Sequence, residues 1–509
     1  LKMWHERALP DLGRNIKCGN SLIGPDYFTG QLLPDDDEMR RVNPFDWNAE
    51  FPHIFPSPLR GEGKGEGGFD AVIGNPPYVR IQGFPGDQIE YFSKRYSSTT
   101  GNYDLYVNFV ERGYELLNSH GRLGFILPNK FFKTDYGVGL RKLLSEAKAV
   151  AGIVDFGSHQ VFDATTYTCL LFLEKSGGTP LQYAEAEASP SALASLKFKS
   201  VSSSNLGTEP WIFAAQEVVA LFAKLRKTSK RLLDLPAEMS RGSSSGDDEV
   251  FVLENKNIGI EQELLRIPLF ATDFGRYRFS PSDKWRIIFP YTLDDGSCLL
   301  LTEKELKRAY PKAYTYLQAH NAALRRRKQF KEWFGYSAPR NLELHDCAQI
   351  AVPLLANRGL FTLIPAETRG NLCPMASGGF TITISDLCPM RPEYILALLN
   401  SRLLFWRLQQ DSNVFRGGWI TCTKQYFGEL PVRIIDFSDK SDKAKHAKMI
   451  ALVERMMDLH GRLAKAKAPD DKTKLQRQID ATDREIDRLV YDLYGLTEDE
   501  IAIVEGKAL

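Results

Sequence analysis

The sequence predicts an α/β sheet domain, then a mixed α+β module, then a C-terminal helical hairpin. Three observations carry this reading. From Phe69 to Lys175 short apolar runs alternate with longer stretches of helical spacing, from about Leu232 to Val432 strand-like runs and turns dominate, and from Lys443 to Tyr494 two amphipathic segments follow one another. In the first region AVIG (71–74), GFILP (124–128), GIVDF (152–156) and TCLLFLE (168–174) read as buried strands, while DLYVNFVERGYELL (104–117) and YGVGLRKLLSEAK (136–148) carry apolar residues at helical spacing. That alternation implies a parallel sheet, in which ligands sit beyond the carboxyl ends of the strands. Between Gly24 and Gly68 the pattern breaks, and SPLRGEGKGEGG (57–68) is too rich in glycine and charge for a packed element. Residues 24–68 therefore read as a flexible insertion.

A polar connector with a short helix around Ala214 to Arg226 leads to the second module, in which RIIFPY (286–291), AQIAVPLL (348–355), GLFTLIP (359–365) and GGFTITISD (378–386) read as strands and EYILALLNSRLLFWRLQQ (393–410) as helix. In the tail, Leu452, Met456, Leu459 and Leu463 line one helix, and Leu475, Ile479, Ile486, Leu489 and Leu493 the next. Pro469 marks their junction, Gly495 the end of the second, and Thr497 with Glu500 a capping box for a terminal turn. The boundaries that follow are 1–178, 179–231, 232–436 and 437–509.

The 509 residues are 43% hydrophobic, and 65 basic residues nearly balance 64 acidic ones, which argues against a protein that coats polyanions generically. Seven scattered cysteines form no C-x-x-C pair, so neither a disulfide framework nor a metal site is indicated, and a reducing cytoplasm is the default location. No apolar run approaches the length of a membrane span.

The most informative stretch is FDAVIGNPPYVR (69–80), a strand ending in Asn75-Pro76-Pro77-Tyr78. Alone it could be a strand-ending turn. Its chemistry suits an exocyclic aromatic amine, whose nitrogen lone pair is delocalised into the ring. Holding both N–H groups takes two acceptors, and an Asn side-chain oxygen and a backbone carbonyl can supply them. Two prolines fix φ and remove competing donors, and the Tyr78 ring offers a face on which a planar base can stack.

In this context Asn75-Pro76-Pro77-Tyr78 resembles motif IV of the gamma-class N6-adenine DNA methyltransferases. The order of further segments is similar to that of type IIG restriction–modification enzymes. NIKCGNSLIG (15–24) resembles motif III with Asn20 at the position of its acidic residue, YDLYVNFVERGYELL (103–117) and GRLGFILPNKFF (121–132) resemble motifs V and VI, and Phe162 in GSHQVFDATTYTCLLFLEK (157–175) matches an aromatic set against the extruded base. Phe162 reads equally well as a core residue that anchors its loop. Residues 232–432 resemble a TaqI-like specificity domain through WFGYSAPRNLEL (333–344), VPLLANRGLFTL (352–363), YILALLNSRLL (394–404) and FRGGWITCTKQYFGELPV (415–432).

The resemblance implies a partial Rossmann-like methyltransferase portion, a target-recognition domain and a helical tail. It implies S-adenosylmethionine as cofactor, touching Asn20 and Asn75, and double-stranded DNA as partner. Asn75, Pro76, Pro77 and Tyr78 would be catalytic, with Tyr78 and Phe162 stacking the base. Arg325, Arg326, Arg327, Lys328, Arg358, Arg416, Trp419 and Lys424 are candidate DNA contacts, although basic clusters more often form solvated faces. Residues 1–68 hold no glycine-rich turn between a strand and a helix, so the expectation is that an amino-terminal part or a partner chain carries the cofactor loop and, in that family, commonly a nuclease. Asp248 with Glu254 and Lys256 has the D…E-x-K spacing of a metal-dependent nuclease, but the same stretch resembles a hairpin of the specificity domain. The alternative from another class is a non-catalytic DNA-binding subunit or inactive fragment.

Overall fold

A computed structural model describes residues 13, 15–29, 35–55, 67–157, 159–162, 166–178, 180–201, 206–213, 216–256, 258–294, 297–412 and 416–506. The chain forms two units, 1–213 and 214–509.

In the first unit, strands β1 (Phe69–Gly74), β2 (Leu117–Pro128), β3 (Val150–Asp155), β4 (Thr168–Glu174), β5 (Leu181–Glu185) and β6 (Lys199–Val201) form one sheet in the order β1-β2-β4-β3-β5-β6. The expected strands are present, but the sheet is mixed. β1 runs parallel to β2 and β3 to β5, whereas β4 is antiparallel to both β2 and β3. The physical reason is the short connection from β3 to β4, which reverses the chain without the crossover helix that a parallel neighbour needs.

Helices α1 (Asp36–Val42), α2 (Trp47–Glu50), α3 (Gly86–Arg95), α4 (Tyr106–Glu115) and α5 (Val138–Glu146) belong to this unit. Val107 and Val110 of α4 and Leu140 and Leu144 of α5 are fully buried with Leu123, Leu127, Ile153 and Leu171 of the sheet. The opposite sheet face carries Ile73, 91% exposed. α1 and α2 lie within the stretch expected to be a flexible insertion. There Asp46 caps α2 by accepting from Asn48 and Ala49, and Trp47, Phe51 and Phe69 pack their rings within 6.0 Å of one another. Aromatic packing and caps order this segment despite its irregular pattern. Residues 57–66 lie outside the described ones.

The first unit also extends past the expected boundary at 178, since β5 and β6 continue its sheet. The second unit starts within the expected connector, whose helix spans Gln216–Lys227. It contains two four-stranded sheets, and helices Pro392–Asn400 and Arg402–Asp411 separate at Ser401, whose side chain caps the latter. Tail helices Lys440–Lys465 and Pro469–Tyr494 follow, with Gly495 in the left-handed conformation and the capping box of Thr497 and Glu500 present. The tail shares one core with the rest of the unit: Met449, Met456, Ile486 and Val490 are fully buried together with Ile350, Ile382, Leu396 and Leu404.

Polar contacts reinforce that core. Arg276 pairs with Asp483 and donates to the carbonyls of Gly359 (3.2 Å) and Asn400 (2.5 Å). Asp487 accepts from the Arg402 backbone N–H at 2.9 Å and meets its guanidinium at 3.1 Å. Burial nevertheless dominates, pushing the Asp487 carboxyl from 3.8 up to about 6. A raised carboxyl favours the protonated fold, so its contribution is full below pH 3.8 and is lost as pH rises through 6. We therefore expect Asp487→Asn to raise Tm at pH 7.5 by about 2 °C and to gain nothing near pH 4, as scanning calorimetry at the two pH values will check. The surrendered ion pair costs little, because Arg402 is half exposed.

Candidate active site and nucleic-acid surface

β1 ends at Gly74, where an added Cβ would meet the Phe125 ring at 3.1 Å, and the chain turns at once into Asn75-Pro76-Pro77-Tyr78. Pro76 is buried and anchors the turn, while Asn75 and Pro77 are exposed. Beyond it, Leu105 donates its N–H to the Val79 carbonyl (2.8 Å) and Ile81 to that of Tyr103 (3.0 Å), tying the exit of the turn to the start of α4.

Tyr78 is half-buried. Its hydroxyl donates to the Ile126 carbonyl on β2 at 3.2 Å, and burial, aided by Cys169, pushes its pKa up to about 12, so it stays a neutral donor at physiological pH. The ring meets Tyr106 edge-on at 6.5 Å and, on another side, Phe162 at 6.5 Å and 64°. Phe162 is 39% exposed, which fits a ring presented at a surface better than a core anchor. The structure thus brings together the two aromatics that the sequence named.

Asn20 stands apart from this pair. Its Oδ1 accepts from the Leu22 N–H at 3.2 Å, and its own N–H donates to Asn43 at 2.7 Å. Around it the backbone forms a single bridge to Pro44. Among the described residues the Asn20 Oδ1 accepts one hydrogen bond, and an amide oxygen can accept two.

Sequence reading passed over Asn129, which follows β2, and Asp155, which ends β3. Asp155 Oδ1 accepts from Asn129 Nδ2 at 2.9 Å and from the Gly157 N–H at 3.0 Å. Burial pushes this carboxyl above the usual range against the pull of both hydrogen bonds. A carboxylate closing an otherwise apolar strand, as in GIVDF, was the available signal.

In the second unit Arg325, Arg326 and Lys328 are exposed. Arg327 is not available in the same way. Its guanidinium donates to the carbonyls of Ser245 (2.6 Å), Gly335 (2.9 Å), Trp333 (2.6 Å) and Leu324 (2.8 Å), so it ties its own turn to residues 333–335 and to Ser245. Of the four candidate DNA contacts in this cluster, Arg327 is thus engaged with the backbone. Arg358, Trp419 and Lys424 are exposed, and the side chain of Arg416 lies outside those described. Glu254 and Lys256 pair with each other at 3.4 Å and Asp248 accepts from Ser245, so the D…E-x-K residues have local partners. Among the described residues no group of three or more acidic, His or Cys side chains could hold a metal, and no helix is long and apolar enough to cross a membrane.

We expect the double reversal Arg325→Glu with Arg326→Glu to weaken binding to every DNA sequence and to lower the slope of log K against log salt by about 1 per lost phosphate contact. Fluorescence anisotropy across salt concentrations measures both. Arg327→Glu should instead lower Tm.

Residues 5–162, which include the Asn-Pro-Pro-Tyr turn and Phe162, match the Eco57I restriction-modification methylase family. The whole chain is 27% identical over 543 aligned positions to the type II restriction enzyme and methyltransferase RM.Eco57I of Escherichia coli, covering 98% of this chain and 51% of the relative. It is 28% identical to the type II methyltransferase M.XhoI of Xanthomonas vasicola, over 52% of each chain. It is 25% identical to M.PaeR7I of Pseudomonas aeruginosa, over 87% of this chain and 73% of that one. The chain spans about half the length of the first two. The fold is similar, at 12% identity and a TM-score of 0.55, to the Type IIL restriction-modification enzyme MmeI, whose structure was solved in complex with DNA, over 86% of this chain and 56% of that one. The matched segment ends at Phe162, within the β3–β4 connection.

Proposed function

We propose that the protein is a site-specific DNA methyltransferase that transfers a methyl group from S-adenosylmethionine to N6 of an adenine extruded from double-stranded DNA. The observation that carries this reading is an exposed Asn75 at the carboxyl end of β1, three residues before a Tyr78 ring that meets Phe162 edge-on. Asn75 Oδ1 and the Pro76 carbonyl accept from the two N6 hydrogens and draw the nitrogen lone pair out of conjugation with the ring. Tyr78 and Phe162 hold the base by its faces, and fixing it in line lowers the barrier by orientation.

The residues present fit one part of the cofactor. Asn20, whose amide oxygen can accept a second hydrogen bond, and Asn75 would hold it, and when bound it supplies the methyl on a sulfonium centre. Recognition of sequence is assigned to the second unit, with exposed Arg325, Arg326, Lys328, Arg358, Trp419 and Lys424 as candidate contacts.

The test is to incubate excess protein with S-adenosylmethionine and unmethylated DNA, digest to nucleosides and identify the product by mass spectrometry. N6-methyladenine is expected. N4-methylcytosine would overturn the reading, and DNA binding without any methylated product would favour a non-catalytic specificity subunit.

Stacking gives a further expectation. Tyr78→Ala should weaken retention of the extruded base by on the order of 1–3 kcal/mol, read as a fall in single-turnover rate. Tyr78→Phe, which loses only the hydrogen bond to Ile126, should stay within a few-fold of the wild type.

A further inference from the structure

Both rings that would clasp the base are referenced to the same short stretch at the end of β2. Tyr78 reaches it through its hydroxyl on the Ile126 carbonyl. Phe162 reaches it through the connection between β3 and β4, and Asn129 spans the base of that connection. Its Nδ2 donates to Asp155 on the entering strand, and its backbone N–H donates to the Tyr167 carbonyl on the leaving side at 3.1 Å. The entering side is fixed further. The Phe156 N–H donates to Thr168 at 3.2 Å, the Phe156 side chain is buried, and Gly157 turns with φ +52°, a left-handed conformation that directs its N–H to Asp155.

We propose that Asn129 and Asp155 are positioning residues that set the gap between the Tyr78 and Phe162 rings, and so govern capture of the extruded base without strengthening DNA docking. The inference rests on the base-stacking reading above. One side-chain oxygen of Asp155 accepts both hydrogen bonds, so the strut needs an acceptor at that place and not a negative charge. An amide can supply it.

The full 509-residue chain tests this with three variants. Asp155→Asn keeps the acceptor and should stay within about twofold of wild type. Asn129→Asp sets two carboxylates against each other and should lower the methyl-transfer kcat about tenfold or more with KM for DNA little changed. Combining the two lets Asn at 155 donate to Asp at 129 and accept from Gly157, and should restore the rate to within about threefold. Hydrogen exchange followed by mass spectrometry gives a second readout that needs no activity: Asn129→Asp should speed exchange in residues 156–168 while β2 and α4 stay protected, and the double variant should slow it again. If no variant, wild type included, transfers methyl groups, the function reading fails while the exchange data still judge the strut. Unchanged exchange in Asn129→Asp, or a double variant no better than the single one, overturns the proposal.

Discussion

Asn75→Ala is expected to abolish methyl transfer while DNA binding stays close to that of the wild type. The side chain is exposed at the strand end and makes no hydrogen bond among the described residues, so its loss removes nothing that holds the fold. What disappears is one of two acceptors for the reacting amine. A single preorganised polar group that acts on the reacting centre is worth on the order of 10²–10³ in rate. Here the loss should be larger, because the remaining Pro76 carbonyl can engage only one of the two hydrogens. Nucleoside mass spectrometry gives the rate and anisotropy on duplex DNA the affinity. Methylation within tenfold of wild type would mean that the turn is only structural.

Exchange of the second unit for that of a relative is expected to move methylation to the relative's sequence, with a similar rate at the new site, because on the proposed reading the Asn75 turn meets an extruded base whatever its neighbours were. The packing dictates where to cut. A swap confined to residues 232–436 would divide the shared core and leave Met456, Ile486 and Val490 of the tail against foreign partners for Leu396 and Leu404. Such a chimera should lose several degrees of Tm, since mismatched cores cost about 1–3 kcal/mol per misfit. A cut at the boundary between Phe213 and Ala214 keeps each core intact. Sequencing that detects methylated adenines identifies the site used. Retention of the original site would move recognition out of the second unit.

Much of the fold was legible because its strands are apolar runs and its helices amphipathic. Leu452, Met456, Leu459, Leu475, Ile479 and Ile486 were assigned to a tail core from spacing alone, and all are buried. Strand direction was not legible, since an apolar run such as TCLLFLE has the same pattern whichever way it pairs. Nor was the order in residues 35–55, which depends on rings such as Trp47 and Phe69 meeting across a break in periodicity. Of the candidate site, the turn at Asn75 and the ring at Phe162 were legible as chemistry. Arg327 was not, because its contacts include the carbonyl of Ser245, 82 residues away in sequence, which no local pattern foretells.

The reversed strand β4 has one more consequence, for the order in which the protein can acquire its site. Tyr78 precedes β2, and Phe162 follows β3, so no local segment contains both rings. They meet only after β4 has inserted between β2 and β3, a pairing of long sequence separation that folds late and as a unit. If the two rings clasp a base as proposed, a chain that has formed its helices but not this sheet has no clasp, and a nascent or half-denatured copy would leave DNA unmodified.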